Sequence, residues 1–486
     1  MFKDFLYVAN PLGLLLMAFS AAYLGPIGAA LLYGDGALRA FTLGGLATLV
    51  AGLALWRFTL PYKRELKSRD GYLLVALAWV LTAASATLPL MLAIPGLSFT
   101  RAYFEATSGV TTSGATVLSG LDTLPHAVNL WRHELCWLGG LGIITLGMAV
   151  LPLLGIGGMQ VYRAEATGPI KESRLTPRLV QTARSLWLIY LGLTAACLLL
   201  LRLAGMNWFD AVCHAFAVIS LSGFSTHDAS IGYFDSPLIE LVLIVFMLIA
   251  GINFATHYMA WRGKSLKTYR RDVEARAFLL LVLGSVLLLA YFLWSRGVYP
   301  GYLSALRHSA FNIVSVITNC GLYSGDYALW PLFACLAMLL LSCVAVSAGS
   351  TGGGIKMIRT LILFKQSGRE LFALVHPTAV HSLKIGGQVI GERAALSVFS
   401  FVHIYTITVA LLTMLLILSG MDFLTALTAI IGTLNNGAHG LGGVGPAHTF
   451  AAFDSYQIWI CTLAMLAGRL ELFVLLVPLT PAFWRE

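Results

Sequence analysis

The sequence predicts an all-α polytopic membrane protein, and three observations predict it. Of 486 residues, 58% are hydrophobic and only 11% are charged, against roughly 25% charged in a soluble domain. Apolar runs of about 20 residues recur along the whole length, each long enough to cross a hydrocarbon core of roughly 30 Å. The alternating segments of about ten residues that mark a transmembrane barrel are not found in the sequence.

Taken in order, about ten spans are expected: 6–33 and 37–60 as a leading pair, then 71–92, 135–155, 185–205, 236–261, 277–295, 327–365, 395–420 and 455–480. The eighth is broken in its middle. The first run is too long for the apolar region of a cleavable signal, so none is expected. The net charge of +9 reads as topology rather than as a nucleic-acid surface. Lys63, Arg64, Lys67 and Arg69 crowd one loop, and six basic residues fall between Arg262 and Arg276, whereas 206–235 and 421–454 contain neither Lys nor Arg. Positive loops stay in the cytoplasm, so both termini are expected inside. The seven cysteines form no CxxC pair, and their expected role is packing.

The last eight spans pair off around four segments too short to cross and too apolar for ordinary loops. Each begins with about a dozen helix-like residues and then reaches small polar residues and a glycine. These turns are Thr111, Thr112, Ser113 and Gly114; Leu221, Ser222 and Gly223; Thr318, Asn319, Cys320 and Gly321; and Asn435, Asn436 and Gly437. A period of about 100 residues is an internal repeat. It divides the chain into two leading spans (1–65) and four repeats at 66–165, 166–270, 271–385 and 386–486, each reading span, pore helix, filter, span around a pseudo-fourfold pore.

A segment that dips into a membrane and returns exposes backbone, which is tolerated only where protein buries it or where it lines a watery path. Glycine lets such a turn aim carbonyls inward, and a ring of carbonyls can replace the water shell of a cation. The short helix before each turn points its negative end at the centre. The repeat is therefore a cation-pore unit. The sequence holds no HExxH set and no GxxxxGK[ST] loop, so neither an intramembrane enzyme nor a nucleotide site is expected in this chain.

The repeat, together with GGLGIITLGMAVLPLLGIGGMQVYRAEATGP (139–169), GFSTHDASIGYFDS (223–236), AGSTGGGIKMIRTLILFKQSGREL (348–371) and LAGRLELFVLLVP (466–478), resembles the Trk/Ktr superfamily of potassium channels and transporters. It is most similar to the membrane subunit of the bacterial Trk system. The resemblance runs from about residue 70 to the end, and the leading spans fit the Trk-type extension. It implies potassium as the transported ion at the four turns, a multi-pass protein of the bacterial inner membrane among membrane lipids, and two chains per dimer. It also implies a cytoplasmic nucleotide-binding regulatory ring as partner, with the nucleotide on that partner and no cofactor in this chain.

The resemblance further implies a gate. Ser347, Gly349, Ser350, Thr351, Gly352, Gly353 and Gly354 would form a pore-lining loop just below the filter in the broken span. Arg469, a costly charge in the middle of a span, would project into the pore beside it. A local pair with Glu471 is unfavourable, because residues two apart on a helix do not face each other. The fourth turn, LNNGAHGLG, departs from the usual pattern: in the family register Ala438 falls at the filter glycine and His439 at a proline. The third, TNCG, lacks the usual hydroxyls. Both departures bear on potassium selectivity and leave a less selective K⁺/Na⁺ path as an alternative. A proton- or sodium-coupled symporter is the other alternative; it predicts acidic residues deep in the spans, and the sequence offers few. Glu105 and His214 occupy similar places in the first two short helices, either shaping the outer field or hydrogen-bonding behind the turns.

Overall fold

The structure is a computed structural model that describes residues 2–62, 66–150, 176–344, 346–379 and 382–485. The expected end of one span at 151–155, the repeat boundary at 165 and most of the motif at 139–169 lie outside the described residues.

The described residues are mostly helical, and their elements follow the apolar runs. Phe5–Tyr33, Leu38–Thr59, Arg69–Ala93, Ala183–Leu203, Val273–Ser295 and Glu392–Leu418 are each long and apolar enough to cross a membrane. The leading pair crosses closely because Gly13 and Gly52 face each other's helix: a Cβ on Gly13 would stand 2.6 Å from Trp56 N, and one on Gly52 would stand 2.8 Å from Met17 N. Small residues at such a seam let two backbones approach in lipid. Leu31, Leu32, Leu280, Leu288 and Leu418 point outward and are exposed, as a lipid-facing surface requires.

Two expected spans are not single helices. Pro237–Ala250 and Phe254–Gly263 meet at 94°, and Ser455–Arg469 meets Phe473–Leu479 at 110°. The first bend has a local cause: Gly251 follows one helix, and the Asn253 side chain caps the next by accepting from Ala255 N at 2.9 Å. The second turns through Glu471 and Leu472, both at positive φ (53° and 56°). Where a broken span is expected at 327–365, the chain forms the short apolar helix Leu332–Ser342 and the helix Met357–Val375, and the described residues between them are not helical; neither helix is by itself long and apolar enough to cross. The expected span at 135–155 is the helix His126–Val150 as far as the described residues go.

Between spans lie four short helices, Phe99–Val110, Trp208–Ser220, Tyr302–Ile317 and Phe423–Leu434. Three begin at a side-chain cap, with Ser98, Asn207 and Asp422 accepting from Arg101 N, Asp210 N and Thr425 N. A two-stranded hairpin, Lys384–Ile385 with Gln388–Val389, turns through Gly386 and Gly387 at positive φ. Its Ile385 packs with Ile358, Ile362, Leu383, Ala395 and Val398.

Candidate functional site

The four short helices end in the same way. Ser113 N donates to Ser108 O, Ser222 N to Ala217 O, Cys320 N to Ser315 O and Gly437 N to Gly432 O, all at 2.8–2.9 Å. The residue before each donor is left-handed: Thr112, Leu221, Asn319 and Asn436, with φ of 55°, 54°, 58° and 52°. This is the Schellman stop, which normally falls on glycine. A β-branched or bulky residue there is a backbone outlier, and strain of this kind persists only where surroundings hold it, often at functional sites.

The common stop fixes the register of the turns. Gly437 stands level with Ser113, Ser222 and Cys320, and Ala438 stands level with Gly114, Gly223 and Gly321. The 100-residue spacing to Gly437 is therefore one residue short of structural equivalence. The three glycines have φ of 72°, 77° and 85°, and each presses on the next turn. A Cβ on Gly114 would lie 1.6 Å from Ser222 O, one on Gly223 2.1 Å from Cys320 O, and one on Gly321 2.7 Å from Ala438 N. Asn436 Nδ2 donates to Ser113 Oγ at 3.0 Å, joining the fourth turn to the first. The four turns thus make a closed ring in chain order, and Thr111, Thr112, Ser113, Ser222, Thr318, Asn319, Asn435 and Asn436 are all buried in it. A cavity of about 210 Å³ opens on one side, lined by Gly114, Gly223, Gly321 and Ala438.

Ser347–Gly354 lies against the helix ends. Thr351 Oγ1 donates to Ile219 O at 3.0 Å. Gly352 abuts Thr318 O, and a Cβ on Gly353 would lie 1.8 Å from Asn435 O. Asn319 Nδ2, from the ring itself, reaches Ser342 O at 3.0 Å. The loop therefore spans the carbonyl ends of three of the four short helices. Its irregular backbone is satisfied by the first bent span: Ser347 N donates to Gly251 O at 3.0 Å, and Phe254 N to Gly349 O at 3.1 Å. Two broken elements complete each other's hydrogen bonds, which makes both tolerable at membrane depth.

Arg469 is buried, and it donates from Nη1 to Thr351 O and from Nη2 to Gly139 O, both at 3.0 Å. It joins the loop to the helix His126–Val150. Lys356 Nζ donates to Gly352 O. Glu471 pairs not with Arg469 but with Arg359, whose guanidinium stacks over Phe401 at 3.9 Å.

Behind the turns, each short helix offers a polar side chain to the segment that follows its turn. Glu105 accepts from Thr116 Oγ1 and Val117 N at 2.9 and 3.0 Å. His214 Nε2 meets Ser225 Oγ at 3.0 Å. Asn312 exchanges two bonds with Ser324 at 3.2 Å, and Thr428 exchanges two with the backbone of Leu441. Of the two sequence alternatives for Glu105 and His214, the geometry is that of hydrogen bonding behind the turns. Sequence reading passes over Arg132, which is buried and donates to Glu105 at 2.8 Å and to Ser225 O at 3.3 Å, with Phe224 4.2 Å from its guanidinium. Its sequence signal is weak, because it stands with His133 and Glu134 just before the expected span at 135–155, unlike Arg469 in mid-span.

At the mouth, His227 bridges Asp122 and Asp210 and stacks on Tyr233 at 3.6 Å. Burial draws the imidazole pKa down, but the hydrogen bonds to Asp210 and Asp122 outweigh it and hold His227 above its ordinary value.

Fold and site define a multi-pass helical membrane protein that closes four helix-and-turn units into one ring over an intramembrane loop. The family described as TrkH, cation transport protein, matches residues 37–484. The Trk system potassium uptake proteins TrkH of Salmonella typhimurium and of Escherichia coli K12 are each 45% identical to the chain over 480 residues, covering 99% of both. The crystal structure of the potassium transporter TrkH from Vibrio parahaemolyticus superposes with a TM-score of 0.92 at 42% identity, over 99% of this chain and 100% of that one. The chain belongs to the TrkH family.

Proposed function

We propose that this chain is the potassium-conducting membrane subunit of a Trk-type uptake system. The observation that carries the reading is the closed ring of four turns, with a glycine-rich loop lying across three of the helix ends behind it. Helix C-termini are negative, so the ring is a place where a dehydrated cation is favoured. The arginine and lysine that hold the loop put positive charge on the same path. Similarity to potassium uptake proteins supplies the ion.

In this reading Ser347–Gly354 and Arg469 are the gate. A bistable loop obstructs the path until a cytoplasmic, nucleotide-binding regulator moves the helix Met357–Val375. The chain works as a homodimer in a bacterial inner membrane with both termini cytoplasmic and carries no cofactor of its own. The repeats are 66–165, 166–270, 271–385 and 386–486, after two leading spans. A less selective K⁺/Na⁺ path is the second reading, favoured by the methyl group of Ala438 where three turns have glycine. The test is flux from liposomes holding the purified chain without a partner, with and without deletion of Gly352–Gly354. The expected result is a small flux from the intact chain and a large potassium flux after the deletion. Equal flux from both proteins would remove the gate, and no flux from either would remove the pore.

A further inference from the structure

Glu274 belongs neither to the ring nor to the loop, yet its carboxylate joins the start of the loop to the first turn of the helix that follows it. Oε1 accepts from Ala348 N at 3.1 Å and from Ile358 N at 2.9 Å. The residue is buried in the first turn of Val273–Ser295, next to the helix cap that Asp272 supplies. Two backbone bonds also close the neck of the loop, Ile355 N to Cys343 O and Met357 N to Val346 O, both at 2.9 Å. Amide bonds to a carboxylate are roughly twice as strong as neutral ones. Glu274 thus bonds the backbone on both sides of the neck through a carboxylate, as the neutral amide of Asn319 does from the ring side, its Nδ2 donating to Ser342 O at 3.0 Å and to Gly353 O at 3.4 Å.

We infer that Glu274 is the positioning residue that latches the gate loop across the helix ends, an inference that rests on the gating reading above. The route of release is also on the page. Ile358, whose amide Glu274 holds, starts the helix Met357–Val375 and packs against Ile385 of the hairpin. A cavity of about 340 Å³ lies between these parts, lined by Asn253, Asp272, Glu274, Ile358, Ile385 and Gln388. Movement of that helix or of the hairpin draws Ile358 N away from the carboxylate. The loop then keeps its neck bonds, the contacts to Gly251 and Phe254, and the bonds that tie Thr351 to Ile219 O and Arg469 and Gly352 O to Lys356, but no longer the carboxylate that joins its start to the following helix.

The experiment compares partner-free potassium flux from liposomes holding wild type, Glu274→Ala, Glu274→Gln and the Gly352–Gly354 deletion, with hydrogen exchange of the segment Ala348–Ile358 read in parallel. Glu274→Ala should raise flux about tenfold or more, the loss of two charge-assisted bonds. Glu274→Gln keeps an oxygen acceptor without the charge and should raise flux only about threefold. Exchange at the two loop ends should quicken in the same order. If Glu274→Ala is folded and leaks no more than wild type while the deletion leaks, the latch is wrong and the gate stands. If the deletion itself does not leak, the gate falls and the latch with it. Should Glu274→Ala fail to fold, Glu274→Gln decides, and unchanged flux with unchanged exchange overturns the latch.

Discussion

Behind the first two turns of the ring the short helices carry Glu105 and His214; behind the last two they carry Asn312 and Thr428. The first pair is tied together. Arg132 bonds Glu105 of the first short helix and Ser225 O just after the second turn, and it rests on Phe224. The second pair has neutral bonds only, each between a short helix and the segment that follows its own turn. Gly114 and Gly223 press on neighbouring carbonyl oxygens at 1.6 and 2.1 Å from where a Cβ would stand, whereas Gly321 meets the amide and methyl of Ala438 at 2.7 and 2.8 Å, and His439 beside it is buried with no partner for either ring nitrogen among the described residues. One half of the ring is fixed by a buried charge network, and the other by packing and neutral hydrogen bonds. The difference teaches where tolerance lies: changes in the first half should break the ring, and changes in the second should retune it.

The largest effect should come from Gly114→Ala. The added methyl would overlap Ser222 O at a residue of positive φ, and uptake in a potassium-uptake-deficient strain should fall at least roughly a hundredfold. Arg132→Met comes next. It leaves Glu105 buried without its partner, a loss of about 3–5 kcal/mol, and should lower the melting temperature and collapse selectivity. The double variant with Glu105→Gln should recover part of both. Asn312→Ala, the matching change in the other half, should cost only about 1 kcal/mol and leave flux within about twofold of wild type. Equal damage from Arg132→Met and Asn312→Ala would break the comparison. Ala438→Gly should sharpen it: potassium preference over sodium rises a few-fold, with little change in stability.

The smallest effect concerns the mouth. The pKa of His227 is raised by its aspartate partners above the ordinary 6.5, so its contribution to stability is full below pH 6.5 and is lost as pH rises through the higher folded value. The melting difference between wild type and His227→Gln should therefore shrink on moving from pH 6 to alkaline pH. A difference that grows with pH would reverse the assignment.

Much of this was legible in the chain. Apolar runs, the fourfold spacing and the serine–glycine loop are local patterns, and they led to the helices, the turns and the broken span. The bends at Gly251 and Glu471 were not read, although glycine followed two residues later by an asparagine cap marks the first. A run of apolar residues hides a break, because composition says nothing of where backbone bonds go. The register of the fourth turn was ambiguous in sequence, because glycine spacing and the helix stop differ by one residue. Arg132 and Glu274 depend on contacts between distant segments, so no local pattern shows their partners.

The central claim is that the ring is a single cation path closed by the loop beneath it. Its most direct test is the reversal potential of the Gly352–Gly354 deletion in planar bilayers, with potassium on one side and sodium on the other. The account predicts a steady current reversing towards the potassium equilibrium potential, shifted towards zero by Arg132→Met and moved much less by Asn312→Ala. A current that ignores the ring variants, or no current at all from folded protein, would contradict it.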